Sequence, residues 1–91
     1  MKEITPESVR QFLLVKYLER IQSLALASAE IPDDFDLLLS GVIDSFGILE
    51  MISAIEDEFR IQLDFALLNA EDITRIGPLA GYVAERAQDQ R

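Results

Sequence analysis

The chain contains no cysteine and no histidine. Without cysteine there is no disulfide framework, no thiolate nucleophile and no cysteine-based zinc site. Without histidine the chain lacks the usual general base near neutral pH and the commonest transition-metal ligand. Positive charge is also scarce: 8 Lys and Arg stand against 17 Asp and Glu, a formal net charge of −9. Nucleic acid and anionic membrane surfaces are therefore disfavoured partners, and basic protein surfaces are favoured ones. No apolar run approaches the roughly 20 residues needed to span a bilayer, so membrane insertion is not expected. The segment Met1-Lys2-Glu3-Ile4-Thr5-Pro6 has no apolar core of the kind secretory signals carry, and the expected location is the cytoplasm.

What is present is a helical pattern. The 91 residues are expected to form a single domain spanning the whole chain, with one small core. Hydrophobic residues make up 49% of it, too many for a disordered tail. Thr5-Pro6-Glu7 reads as a helix start, with Thr5 as N-cap and Pro6 at the first helical position. Val9, Leu13 or Leu14, Tyr17, Leu18, Ile21, Leu24 and Ala25 follow at helical spacing and predict a first helix over about residues 6–28. It must stop before Ile31-Pro32. Over about residues 30–44 the acids Glu30, Asp33, Asp34 and Asp36 alternate with Phe35, Leu37, Leu38, Leu39, Val42 and Ile43. A loop this long either packs its own apolar side chains or is functional.

A second helix is predicted from Asp44 or Ser45 to Phe59. Ile48, Ile52, Ile55 and Phe59 share its core face, with Met51 at the edge. Phe46, Glu50, Ser53 and Asp57 fall on the opposite face. Ile61-Gln62-Leu63 reads as a short extended link, and Asp64 to Ile73 as a loop with one or two helical turns. Thr74 is placed to cap a last helix over about Arg75 to Gln88, with Ile76, Leu79, Ala80, Val83 and Ala87 inward. Pro78 is tolerable there because it lies in the first turn. The expected architecture is all-α: a small antiparallel four-helix bundle of three main helices and one short one, with a long first loop.

Chemistry concentrates at Asp44-Ser45, where a polar loop ends and an amphipathic helix begins. Asp and Ser at a helix start are most often structural caps. Their surroundings offer more: an anion attached to the Ser45 hydroxyl would lie beside free backbone N–H groups and the positive end of the helix dipole. A serine hydroxyl is a weak nucleophile that needs an adjacent base, and this chain has no histidine to supply one. Ser45 is better read as a substrate for a separate transferase than as a nucleophile of its own. Carboxylate pairs on a convex helix face have no cleft for hydrolytic acid–base work. Asp34 and Asp36 fail as a calcium loop, since Leu38 holds the third ligand position and no glycine follows in the required place.

The stretch from Leu39 to Phe59, with Gly41-Val42-Ile43-Asp44-Ser45-Phe46-Gly47 at its centre, resembles the core of an acyl carrier protein. Length, charge and helix order resemble that family over about residues 6–88. The resemblance implies an acyl-carrier-type bundle in which Ser45 bears a covalent 4′-phosphopantetheine arm donated by coenzyme A. Asp44 would cap the helix and present the site. The chain would then be a monomeric carrier, not itself an enzyme, holding acyl groups as thioesters on the borrowed thiol. It also implies a phosphopantetheinyl transferase, a loading ligase and downstream synthases or transferases with basic docking patches as partners. Phe46, Leu49, Glu50, Glu56 and Asp57 are the candidate contacts with them. Any single carboxylate is more readily read as a solvated surface group, and Phe46 either contacts partners or folds back under the first loop. Gly47 stands where many fatty-acid carriers have an acid, and Val42-Ile43 where Gly-Ala or Gly-Gly is frequent. These departures point to a specialised pathway and leave an aminoacyl, peptidyl or D-alanyl cargo open. An unmodified acidic helical adaptor is the reading from a different class.

Overall fold

The helices begin where local capping chemistry places them. In the computed structural model, which describes residues 3–24, 31–64, 66 and 68–90, Thr5 caps helix α1 (Pro6–Lys16). Its hydroxyl accepts from the Ser8 N–H at 3.1 Å, and the Ser8 hydroxyl accepts from the Thr5 N–H at 2.9 Å. This reciprocal box satisfies two donors that a helix start otherwise leaves open. At Tyr17 the backbone leaves helical geometry, with φ −106° and ψ 18°, and the chain resumes as the short helix α2 (Leu18–Ser23). The continuous helix expected from the spacing is therefore two segments. The bend also turns the apolar stripe: Ile21 is fully buried, while Leu18, expected on the same face, is 37% exposed. The end of the expected first helix, from Ala25 to Ser28, lies outside the described residues.

Helix α3 (Ser45–Phe59) has Asp44 as its N-cap, and it ends at Arg60, which adopts the left-handed conformation with φ 56°. Met51 and Ile55 are its fully buried residues, whereas Ile48, Ile52 and Phe59 are half-buried. Met51, expected at the edge of the stripe, is thus at its centre. Phe59 instead meets Phe12 of α1 edge to face, with ring centroids 5.4 Å apart. That contact and the ion pair between Lys16 and Glu50 run in opposite chain order, so α1 and α3 are antiparallel. A 3₁₀ turn (Ala70–Asp72) follows in the region after α3, and α4 (Ile76–Asp89) closes the fold. Among the described residues there is no strand, and no helix is long and apolar enough to cross a membrane.

Helix α4 packs closely against α1 and is buried on more than one side. Ile76, Leu79, Ala80, Val83 and Ala87 face inward as expected, and Tyr82 and Ala84 are buried as well. The Tyr82 hydroxyl bridges both backbone groups of Asp64, accepting from its N–H and donating to its C=O. Gln62 and Gln90 pair reciprocally, so the link after α3 is stitched to the end of α4.

The start of α4 is capped by the first loop, not by Thr74. The Ile76 N–H donates to the Phe35 carbonyl at 3.1 Å and the Gly77 N–H to the Asp33 carbonyl at 2.7 Å. Pro78 has no N–H, and the Leu79 N–H reaches the Arg75 carbonyl at 3.0 Å, so the first turn leaves no orphan donor. The Leu37 N–H returns a bond to the Thr74 carbonyl at 2.8 Å, completing a short antiparallel pairing around Asp36 and Arg75. The Thr74 side chain is buried and donates to Asp36 Oδ1 at 2.8 Å. The same oxygen accepts from the N–H groups of Leu38 and Leu39 at 2.9 and 3.1 Å. The loop does pack its own apolar residues, burying Leu37, Val42 and Ile43, but Leu39 stands 83% exposed.

Two glycines of α4 differ in what surrounds them. A Cβ at Gly77 would lie 2.7 Å from Asp33 Cβ and 2.8 Å from its carbonyl oxygen, whereas one at Gly81 meets nothing within 4 Å. Gly77→Ala is expected to destabilise the fold by about 1–3 kcal/mol through crowding. Gly81→Ala is expected to stabilise it by up to about 1 kcal/mol through helix propensity. Urea denaturation of the two variants checks both signs.

Burial raises the pKa of Asp36, but hydrogen bonds from Leu39, Thr74 and Leu38 and the charge of Arg75 outweigh it and hold the carboxyl below its ordinary value. A depressed carboxylate contributes stability that is present above about pH 4 and lost as pH falls through the folded-state value. The stability gap between wild type and Asp36→Asn should accordingly be largest near neutrality and narrow in acid. Urea titrations repeated across that range measure it.

Candidate functional site

Ser45 owes its position to the loop before it. The Ser40 N–H bonds the Asp36 carbonyl, the Gly41 N–H the Leu38 carbonyl and the Ile43 N–H the Leu37 carbonyl, at 3.0, 3.1 and 3.0 Å. Gly41 takes φ 87°, a conformation that side-chain-bearing residues seldom adopt. Buried Val42 and Ile43 then anchor the chain, and Asp44 begins the helix in extended geometry with its carboxylate accepting from the Gly47 N–H at 2.7 Å. Gly47 keeps that carboxylate close over the first turn. A Cβ there would sit 3.1 Å from Ile43 Cβ and 3.3 Å from Asp44 Oδ1.

Ser45 is the first residue of α3 and is exposed. Its hydroxyl makes no hydrogen bond among the described residues. Asp44 spends its carboxylate on Gly47, so the N–H groups of Ser45 and Phe46 at the positive end of the dipole have no intrahelical acceptor. A group joined to the Ser45 oxygen would project into solvent from a rigid helix end. No described side chain is hydrogen-bonded to the hydroxyl as a base.

The other candidate residues divide by what they touch. Phe46 is 83% exposed and Leu49 69%, so Phe46 does not fold back under the first loop. Asp57 is exposed and has no polar partner among the described residues. Glu56 is half-buried, and its carboxylate accepts from the Leu63 N–H at 2.9 Å, a tie that holds the link after α3. Glu50 is on the outer face but is engaged with α1: Lys16 Nζ lies 2.8 Å from one oxygen and the Tyr17 hydroxyl 3.5 Å from the other. The Lys16 ammonium also sits 5.5 Å from the Tyr17 ring centroid.

Three features of this region were not legible in the residue pattern. Leu39 adds a third large exposed apolar side chain to those on α3. Arg20 Nε donates to the Gly41 carbonyl at 3.1 Å, tying α2 to the loop that leads to Ser45. Lys16 and Arg20 lie on either side of the bend at Tyr17, in α1 and α2, and no local spacing signals either contact. At the far end of α3 an open cleft of about 740 Å³ lies among Phe12, Val15, Phe59 and Arg60. It is separated from Ser45 by the length of the helix, about 20 Å.

Protein-family models, curated proteins and solved structures yield no match to this chain.

Burial, the charge of Glu50 and its hydrogen bond push the Tyr17 phenol up to about 12. A raised phenol pKa contributes stability that is full below about pH 10 and lost as pH climbs towards the folded-state value. In Glu50→Gln the tyrosinate transition of Tyr17 should move down while staying above that of a free phenol, because burial remains. Ultraviolet titration of this variant in a Tyr82→Phe background isolates the Tyr17 signal.

Proposed function

We propose that this chain is an acyl carrier protein of a specialised biosynthetic pathway, with Ser45 as the attachment point of a 4′-phosphopantetheine arm. The observation that carries this reading is the exposed, unbonded Ser45 hydroxyl at the first position of α3, in a chain without cysteine or histidine. The order of elements supports it: a bent first helical segment, a long loop, the helix that Ser45 opens, a 3₁₀ turn and a last helix. That is the order expected of an acyl-carrier-type four-helix bundle, with the 3₁₀ turn in the region of the short helix.

The residues at the site suit such a group. The hydroxyl is accessible to a transferase, and the first-turn N–H groups favour a phosphodiester. When bound, the arm supplies a terminal thiol that holds an acyl group as a thioester. Ser45 anchors the arm, and Asp44 fixes the first turn from which it extends. Phe46 and Leu49 offer apolar contact to partner enzymes, and Glu50 and Asp57 offer negative charge to basic patches on them. The chain itself acts as substrate and carrier, not as catalyst.

Incubation with coenzyme A, Mg²⁺ and a broad-specificity phosphopantetheinyl transferase should add one phosphopantetheine to the intact mass, and Ser45→Ala should abolish the gain. A folded wild type that gains nothing overturns the carrier reading in favour of an unmodified adaptor. The docking face has its own test in Asp57→Lys, because Asp57 has no internal partner to lose. The variant should slow modification and flatten its salt dependence. It should also raise stability by about 0.3–1 kcal/mol, since a cation suits the C-terminal end of a helix. Unchanged modification would return Asp57 to the solvated surface.

A further inference from the structure

Glu50 is the one outer-face carboxylate of α3 whose two oxygens both have polar partners outside the helix, and those partners sit at the bend between α1 and α2. We infer that Lys16, Tyr17 and Arg20 couple Glu50 to the loop that presents Ser45, so that a cation docking on Glu50 loosens that loop. Lys16 closes α1, Tyr17 is the bend itself, and Arg20 lies in the middle of α2. Arg20 holds the carbonyl of Gly41, whose turn leads through Val42 and Ile43 to Asp44 and Ser45. The links are contiguous: a carboxylate on the docking face, an ammonium and a phenol at the bend, a guanidinium on the next turn, and a carbonyl in the presenting loop.

Access and competition give the coupling its direction. The Glu50 side chain is 60% exposed although paired, while that of Lys16 is 24% exposed. A carboxylate has about four lone-pair sites, so a partner's ammonium or guanidinium can approach from solvent while Lys16 is still bound. Once there it competes for the same negative charge. Lys16 and Tyr17 then lose the contact that fixes the bend, and α2 carries Arg20 with it. An exposed ion pair is weak enough for an arriving cation to displace, which suits a reversible signal. The inference rests on the docking reading of α3 for its purpose, and on the observed contacts alone for its existence. Lys16, Tyr17 and Arg20 are positioning residues here: none touches the Ser45 hydroxyl.

Backbone-amide hydrogen exchange of the unmodified chain tests it, read at Ser40, Gly41 and Ile43 in the loop and at Val83 in α4. Lys16→Met, Arg20→Met and Glu50→Gln should each speed exchange at the loop amides about two- to fivefold, the range expected from one exposed charge pair. Val83 should not change. The charge swap Lys16→Glu with Glu50→Lys should restore slow loop exchange, which a merely local role for either residue would not. Adding pentalysine as the docking cation should speed loop exchange in the wild type and leave Glu50→Gln unaffected. Unchanged loop exchange in the single variants, or a swap that fails to restore it, overturns the coupling. So does a pentalysine effect that survives in Glu50→Gln. None of these readings needs an arm on Ser45, so failure of the coupling is distinct from failure of the mass assay.

Discussion

The short pairing between the first loop and the start of α4 is the constraint on which the rest of the molecule depends. A helix start exposes N–H groups that must find acceptors, and α4 begins in a buried region without a side-chain cap. The carbonyls of Asp33 and Phe35 fill that role, and Gly77 is the residue that lets the two backbones approach so closely. Asp36 then ties the underside, accepting from two loop amides and from buried Thr74. Arg10 of α1 grips the same segment through Asp33 and the Ile31 carbonyl. Each of these polar groups would cost about 1–3 kcal/mol if buried without its partner, so the loop has one low-energy arrangement. Because the loop is fixed against α4, the turn at Gly41 and the cap at Asp44 follow, and the Ser45 hydroxyl stands at a defined place.

This dependence explains which parts of the fold were legible in the residue pattern. The start of α1 was written in Thr5-Pro6, the limits of α3 in Asp44-Ser45 and Phe59, and the inner face of α4 in its spacing of Ile76, Leu79, Ala80, Val83 and Ala87. Those signals are local, set by capping and by the helical period. The misplacements of Thr74 and of the bend at Tyr17 involve long-range contacts. Thr74 looks like an N-cap, but its hydroxyl belongs to Asp36, 38 residues earlier. Tyr17 and Leu18 continue a helical stripe on paper, but the chain bends where Tyr17 meets Glu50, 33 residues later. Leu39 alternates with acids like its neighbours, yet the Asx turn at Asp36 points it outward. Of the site, Ser45, Asp44 and the exposed side of α3 were legible because they are properties of one helix. The internal pairing of Glu50 and the hold of Arg20 on Gly41 were not, because each joins separate elements.

The distribution of the few cations sharpens the character of α3. Arg10 is spent on Asp33, Lys16 on Glu50, Arg20 on the Gly41 carbonyl and Arg75 on Asp72. Helix α3 itself contains no lysine or arginine, and among its acids only Glu50 and Glu56 have polar partners. These four cations act as internal fastening, and what α3 turns to solvent is negative charge interrupted by Phe46 and Leu49. On the inner side Met51 and Ile55 hold the helix in the core, and on the outer side Glu50 ties it to Lys16 and Tyr17.

The placement of the remaining acids runs against the helix. Glu56, Asp57 and Glu58 crowd the last turn of α3, where the backbone dipole is negative and carboxylates are disfavoured by about 0.3–1 kcal/mol each. Glu56 recovers part of that cost by binding the Leu63 N–H. Asp57 and Glu58 recover nothing from any described partner. No described contact offsets that cost, and on the carrier reading proposed above these acids would serve a basic surface that approaches the face shared by Glu50 and Phe46. The dipole makes the argument directional. At the N-terminal end of α3 a negative group is favoured, and there the chain offers a free hydroxyl on which an anion can be mounted. At the C-terminal end negative charge is disfavoured, and there the chain carries it already. On the carrier reading proposed above, the two ends would give one helix a point of attachment and a field that draws basic surfaces alongside it.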